Sequence, residues 1–373
     1  MFERIDPSPG APAGLRPSVR RGLRYVLALL ASAAMSSSPT SAQRAGGGDG
    51  QDVSLDTIAP ALKVRLVGVE QAQGVLFNAL SAGKGKVDEP EVLKRMMRRL
   101  SEPASSARDP EADRGFDALG SRGAQVIRRA FAFHREVVAI YASRSPAERK
   151  DALDAAVRRY RSTGLALPDA AKDMSILYDH AYTSFVPPTP PETQPRRALP
   201  YPTLTGVLWA ARWYELAVLE PLEPFDNTVE RNRNLATVAE RLRGKLSFGT
   251  PPNAFPEELP LAPAIAPGLV LLHDRSASII DNLNMMLDVL TDVLVHPKVA
   301  NRRVAVDDVI AQFTDRQYRC VQIDEWIILA LRHSIFAQGG PALSTMNTYE
   351  RNGFSGAHGQ HYGPRRPPPC DPE

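Results

Sequence analysis

The chain is predicted to be all-α, a bundle of about eight helices between residues 57 and 340. Three observations carry that prediction. Almost every periodic segment repeats its apolar residues at steps of three, four and seven. Strand signals are nearly absent, and no repeat of solenoid length stands out. The 33 prolines cluster in the first 40 residues, in 187–202, in 251–267 and in the last ten, so packed structure is expected to stop there.

The elements follow in order. Leu62, Leu66, Val69, Leu76 and Leu80 share one helical face. "DEPEVLKRMMRRL" (88–100) opens with acidic residues and a first-turn proline, as helix N-termini do. On that helix Lys94, Arg95, Arg98 and Arg99 are expected to form a solvated face opposite Leu93, Met97 and Leu100. Residues 123–142 carry Val126, Ile127, Ala130, Phe131, Val137, Val138 and Tyr141 inward. "SPAE" (145–148) is a capping box with Pro146 at the first helical position. The helix it opens buries Leu153, Val157 and Tyr160 and stops at Gly164. A further helix is expected across 169–185, with Met174, Leu177, Tyr178, Ala181 and Phe185.

"VPPTPPETQPRRALPYP" (186–202) forbids helix and central strand alike. It divides the chain into two helical lobes, 57–186 and 203–340, with 187–202 as connector; a long loop crossing one domain is the alternative. The second lobe begins with Trp209, Trp213, Leu216 and Glu220 at helical spacing and continues through Leu235, Val238, Leu242 and Leu246. Two longer helices are expected at about 268–296 and 304–338. A flexible spacer (43–56) and a flexible His/Gly/Pro tail (341–373) flank the lobes.

Residues 1–42 read as a secretory signal with an 18-residue polar prelude. Arg20, Arg21 and Arg24 precede an apolar stretch from Tyr25 to Met35, and "TSA" (40–42) supplies the small residues of a cleavage site. The stretch is too short to span a bilayer. A start at Val19 would give a well-proportioned signal. The expectation is an exported protein, periplasmic or secreted, with no transmembrane span once the signal is removed.

Net charge is +3, but residues 1–42 hold five arginines against two acidic residues, leaving 40 basic and 40 acidic residues in the remainder. A polyanion binder needs a clustered positive excess, so nucleic acid is not indicated. No phosphate loop, nucleophile elbow, His-Glu-x-x-His or Cys-x-x-Cys occurs. No family is recognised over any useful length.

Chemistry-bearing residues are few. His358 and His361 in "GAHGQHYG" (356–363) are candidate zinc or copper ligands, against the alternative of a tail that binds metal adventitiously. Asp292 stands one turn before His296, and Asp274, Asp281 and Asp288 step by seven. Because Ile280, Leu283, Leu287, Leu290 and Leu294 already supply a core stripe, that aspartate face is expected to look outward. His134 and His180 lie among apolar residues and read as satisfied core histidines. Trp209 and Trp213, with Tyr201 near, either line a ligand groove between lobes or belong to the core. Cys320 and Cys370, the two cysteines, are disulfide candidates in an oxidising compartment.

The expected function is an exported envelope protein that binds or scaffolds a protein partner or small ligand; the sequence carries no catalytic signature and names no cofactor. The alternative is a metal-binding or metal-dependent helical protein using the tail histidines or the face near His296.

Overall fold

The computed structural model describes residues 59–84, 86–101, 108–173, 201–247, 260–296 and 299–333, with Leu55 and Ile176. All belong to one compact unit, Asp49–Glu373. Among the described residues there are eleven α-helices, somewhat more than the eight expected, and no strand. They are α1 (Pro60–Ala82), α2 (Glu89–Ser101), α3 (Pro110–Asp117), α4 (Gly120–Ser143), α5 (Pro146–Arg161), α6 (Pro202–Ala217), α7 (Thr228–Ser247), α8 (Ala262–Ile265), α9 (Pro267–Val295), α10 (Arg302–Thr314) and α11 (Ile323–His333). A 3₁₀ turn, Glu220–Leu222, follows α6. No described helix is long and apolar enough to cross a membrane.

Local chemistry starts most of these helices. Glu148 accepts from the Ser145 backbone N–H at 3.2 Å and from its hydroxyl at 2.8 Å, which completes the predicted capping box. Asp109 caps α3 by accepting from the N–H groups of Glu111 and Ala112. Other caps are tertiary. The Glu89 carboxylate of α2 accepts from Thr203 and Leu204 N–H, closing the first turn of α6 from 115 residues away.

Helix α9 is the axis of the bundle and packs against α1, α4, α5, α8 and α10. These partners come from both sides of residues 187–202, so the helices before and after the connector share one core. Phe77, Phe116 and Phe131 tie α1, α3 and α4 through two edge-to-face contacts at 6.2 Å between centroids. The α1–α3 crossing is closer still. A Cβ at Gly115 would sit 1.8 Å from the Gly74 carbonyl oxygen, so the two backbones touch there. Gly115→Ala is therefore expected to cost about 3 kcal/mol or more, since backbone has to move. Gly164→Ala, with nothing within 4 Å of the new methyl, serves as the neutral control in the same urea titration.

Four expectations are corrected. Residues 169–173 are not helical: Lys172 forms an isolated antiparallel bridge with Cys320, and the rest of the expected 169–185 helix lies, Ile176 apart, outside the described residues. The expected helix over 304–338 is two, α10 and α11, because 315–322 turns back to meet residues 168–173, a non-helical strap, with Arg319 at a positive φ of 47°. On α2 the buried residues are Val92, Met96, Arg99 and Leu100. Arg99 leaves the solvated face because Asp109 and Glu111 hold its guanidinium at 2.8 Å each.

The fourth correction concerns α9. Asp281, Asn284, Asp288 and Asp292 do not look outward; all are buried. From Ser276 to Val295 α9 is buried on every side; there Asp281 and Asp288 meet donors from α8 and α6, whereas the Asn284 amide has no hydrogen-bond partner among the described residues.

Candidate functional site

The burial of α9 assembles a polar layer at the centre of the bundle from four helices. Helix α6 contributes Arg212 and Glu215, one turn apart in "WAARWYEL", where Trp209, Trp213 and Leu216 are core residues. Arg212 Nε donates to Asp288 Oδ1 of α9 at 2.9 Å. Its Nη2 donates to Gln73 Oε1 of α1 at 3.0 Å. Gln73 Nε2 in turn reaches the Thr291 hydroxyl at 3.5 Å, and that hydroxyl donates to the Leu287 carbonyl at 2.7 Å. The side chains are well matched: the arginine fork is satisfied on two sides by acceptor oxygens, one from a carboxylate and one from an amide.

Two further groups border this chain. Arg135 of α4 pairs with Glu70 of α1. His134 of α4 is 1% exposed, and its Nε2 lies 2.9 Å from the Glu215 backbone carbonyl. A carbonyl only accepts, so Nε2 carries the proton. Burial holds His134 down to about 4, which keeps it neutral. This is the satisfied core histidine read from the sequence.

The carboxyls behave differently from one another. Burial pushes Asp288 up, with Arg212 pulling the other way through charge and hydrogen bond. Burial likewise raises Glu70 against the pull of Arg135. Glu215 is pushed up to about 8, first by burial, with Glu70 and Asp288 repelling its charge and Arg212 attracting it. Its Oε2 has no hydrogen-bond partner among the described residues. Neither Glu215 nor Arg212 was singled out in the sequence. Two charged residues three apart in a run of Trp, Tyr, Leu and Ala were the signal that would have found them.

A second polar junction sits farther along α9. Asn282 accepts from Lys172 N–H at 2.8 Å and donates to the Pro168 and Ala170 carbonyls at 2.9 and 2.8 Å. Asp281 accepts from Ala262 N–H at the start of α8. The Lys172 ammonium donates to the Asp315 and Tyr318 carbonyls, and burial holds it down to about 8. These groups position chain segments and are spent in doing so.

The residues predicted for binding are placed as follows. Trp209 and Trp213 are inside the core, Trp213 with the Lys245 ammonium 4.6 Å above its ring. Tyr201 is half-buried, and its hydroxyl accepts from Val87 N–H at 3.3 Å. Val87 also borders a shallow depression of about 200 Å³ lined by Asn78, Ala82, Asp88, Glu91 and Arg95. Asp292 is fully buried, and its carbonyl accepts from the His296 N–H at 3.0 Å where α9 ends. No three His, Cys, Asp or Glu side chains among the described residues converge as a metal set requires. Cys320 is buried beside the strap. His358, His361 and Cys370 lie outside the described residues, as do residues 1–42, expected to be a signal, and His180.

The fold and site together define a class: an all-α bundle whose central helix is fixed by a buried, ion-paired polar layer. Comparison with family models, curated proteins and solved structures finds no match.

Proposed function

We propose that the chain is an exported, all-helical envelope protein that acts by binding or scaffolding. The observation that carries the reading is the charged, apolar, small-residue order of 19–43, followed by "RAGGGDG" (44–50). The interior adds support. Arg212, Asp288, Gln73, Asn282 and Lys172 direct their polar atoms at one another and at backbone, which is the chemistry of a rigid support. In an exported chain Cys320 and Cys370 would meet an oxidising compartment, and their pairing would close a loop of about 50 residues.

The test is fractionation of the native host with the full-length gene, followed by N-terminal sequencing and thiol alkylation. A periplasmic species beginning at Gln43, with neither cysteine alkylated before reduction, is the expected result. An uncleaved chain in the cytosolic fraction overturns the export reading. Elemental analysis of the same material, with and without residues 341–373, addresses the metal alternative. One equivalent of zinc or copper lost with the tail would replace scaffolding by metal binding at His358 and His361.

A further inference from the structure

Three carboxyl side chains reach the central layer, Glu70 from α1, Glu215 from α6 and Asp288 from α9, and the cations among them are two. Arg135 is taken by Glu70 and Arg212 by Asp288 and Gln73. Lys63, half-buried on α1, attracts Glu70 rather than Glu215. His134, the other titratable group against Glu215, is neutral and gives its N–H to the Glu215 backbone. Arg65 of α1 also faces α6, at Tyr214, but the cation that attracts Glu215 is Arg212. Lys245 of α7 lies over Trp213, Glu89 of α2 caps the far end of α6, α8 is uncharged, and the 3₁₀ turn adds Glu220, another acid. An ionised carboxylate without donor or cation is the costliest group a helical core can hold.

We propose that the folded bundle binds one proton at Glu215, and that losing it above neutral pH weakens the packing of α1, α4 and α9 on α6. The carboxyl's rise to about 8 agrees with the count of charges. Its effect on stability has a definite sign. Below the ordinary value of 4.5 both folded and unfolded chains hold the proton, and Glu215 adds no pH dependence. Between 4.5 and about 8 only the folded chain keeps it, so unfolding releases a proton. Over that window Glu215 lowers the folding constant about tenfold per pH unit as pH rises, levelling off above 8.

The experiment compares wild type with Glu215→Gln, an uncharged isostere, by urea denaturation from pH 5 to 9. The logarithm of the folding constant is expected to fall more steeply for wild type, by one proton per molecule, with the difference vanishing above pH 8. Parallel profiles overturn the proposal. A second measurement needs no variant that folds: ¹³Cδ shifts of selectively labelled glutamate in the wild-type chain. One glutamate titrating near pH 8, and still present in Glu220→Gln, is the expected spectrum. Absence of any glutamate titrating above pH 7.5, or persistence of that resonance in a folded Glu215→Gln, overturns it.

Discussion

Replacing Asp288 by alanine is expected to destabilise the fold by about 3–5 kcal/mol, because it leaves the Arg212 guanidinium buried without its counter-charge. Gln73 would still accept one of its bonds, but an amide oxygen does not neutralise a cation. The reciprocal change, Arg212→Ala, is expected to cost less. The orphaned Asp288 carboxyl, already raised by burial, can take a proton and become neutral, whereas arginine has no such escape. The double variant Arg212→Met with Asp288→Leu removes both charges and keeps the volume, so it should lie much closer to wild type than either single change. Urea midpoints of the four proteins give the cycle. A loss below 1 kcal/mol for Asp288→Ala would mean that water reaches the pair.

Asn282→Ala is expected to have the second large effect, about 4 kcal/mol. It strips partners from three backbone groups at once, Lys172 N–H and the Pro168 and Ala170 carbonyls, each of which costs about 1–3 kcal/mol when left buried and unbonded. The damage should also be local. The strap it anchors is joined to the α10–α11 connection by Val321 N–H to Ala171 carbonyl at 2.9 Å and Asp173 N–H to Arg319 carbonyl at 2.7 Å. Amide hydrogen exchange at Val321 and Asp173 should therefore accelerate while α4, which receives none of the Asn282 hydrogen bonds, keeps its protection. Asn282→Asp is the informative companion. It retains an acceptor for Lys172 but loses both donors and places a second carboxylate beside Asp281, so it should behave more like alanine than like asparagine. Uniform acceleration across α4 and the strap would show that Asn282 acts globally.

Much of the helical architecture was legible because helix formation is written locally. The three- and four-residue spacing of Leu62 through Leu80 and the Ser145 capping box act over a few residues, and the structure reproduces them. The helix expected at 169–185 failed in its first turn for a tertiary reason: Asn282, 110 residues from Lys172, accepts from its N–H and donates to the Pro168 and Ala170 carbonyls, and these bonds outweigh local propensity. The continuous helix over 304–338 failed in the same place, since the strap recruits 319–321 as its partner. The candidate site was hardest to read. The aspartates of α9 have the spacing of a solvated face, and only the arrival of Arg212, Ala262 N–H and Asn282's carbonyl partners shows that the face is covered.

The sequence by itself determined that this chain is all-α, where most of its helices begin, and which residues make its apolar stripes. Propensity, capping and amphipathic period are properties of neighbours along the chain. Which polar residues are buried, and in which charge state, was decided only in three dimensions. Arg212 finds Asp288 across 76 residues and Gln73 across 139. Glu215 differs from an exposed glutamate because it is buried and because Arg212, the cation that attracts it, is already bound to Asp288 and Gln73. Desolvation and charge pairing depend on what surrounds a side chain, and that surrounding exists only once the helices have packed.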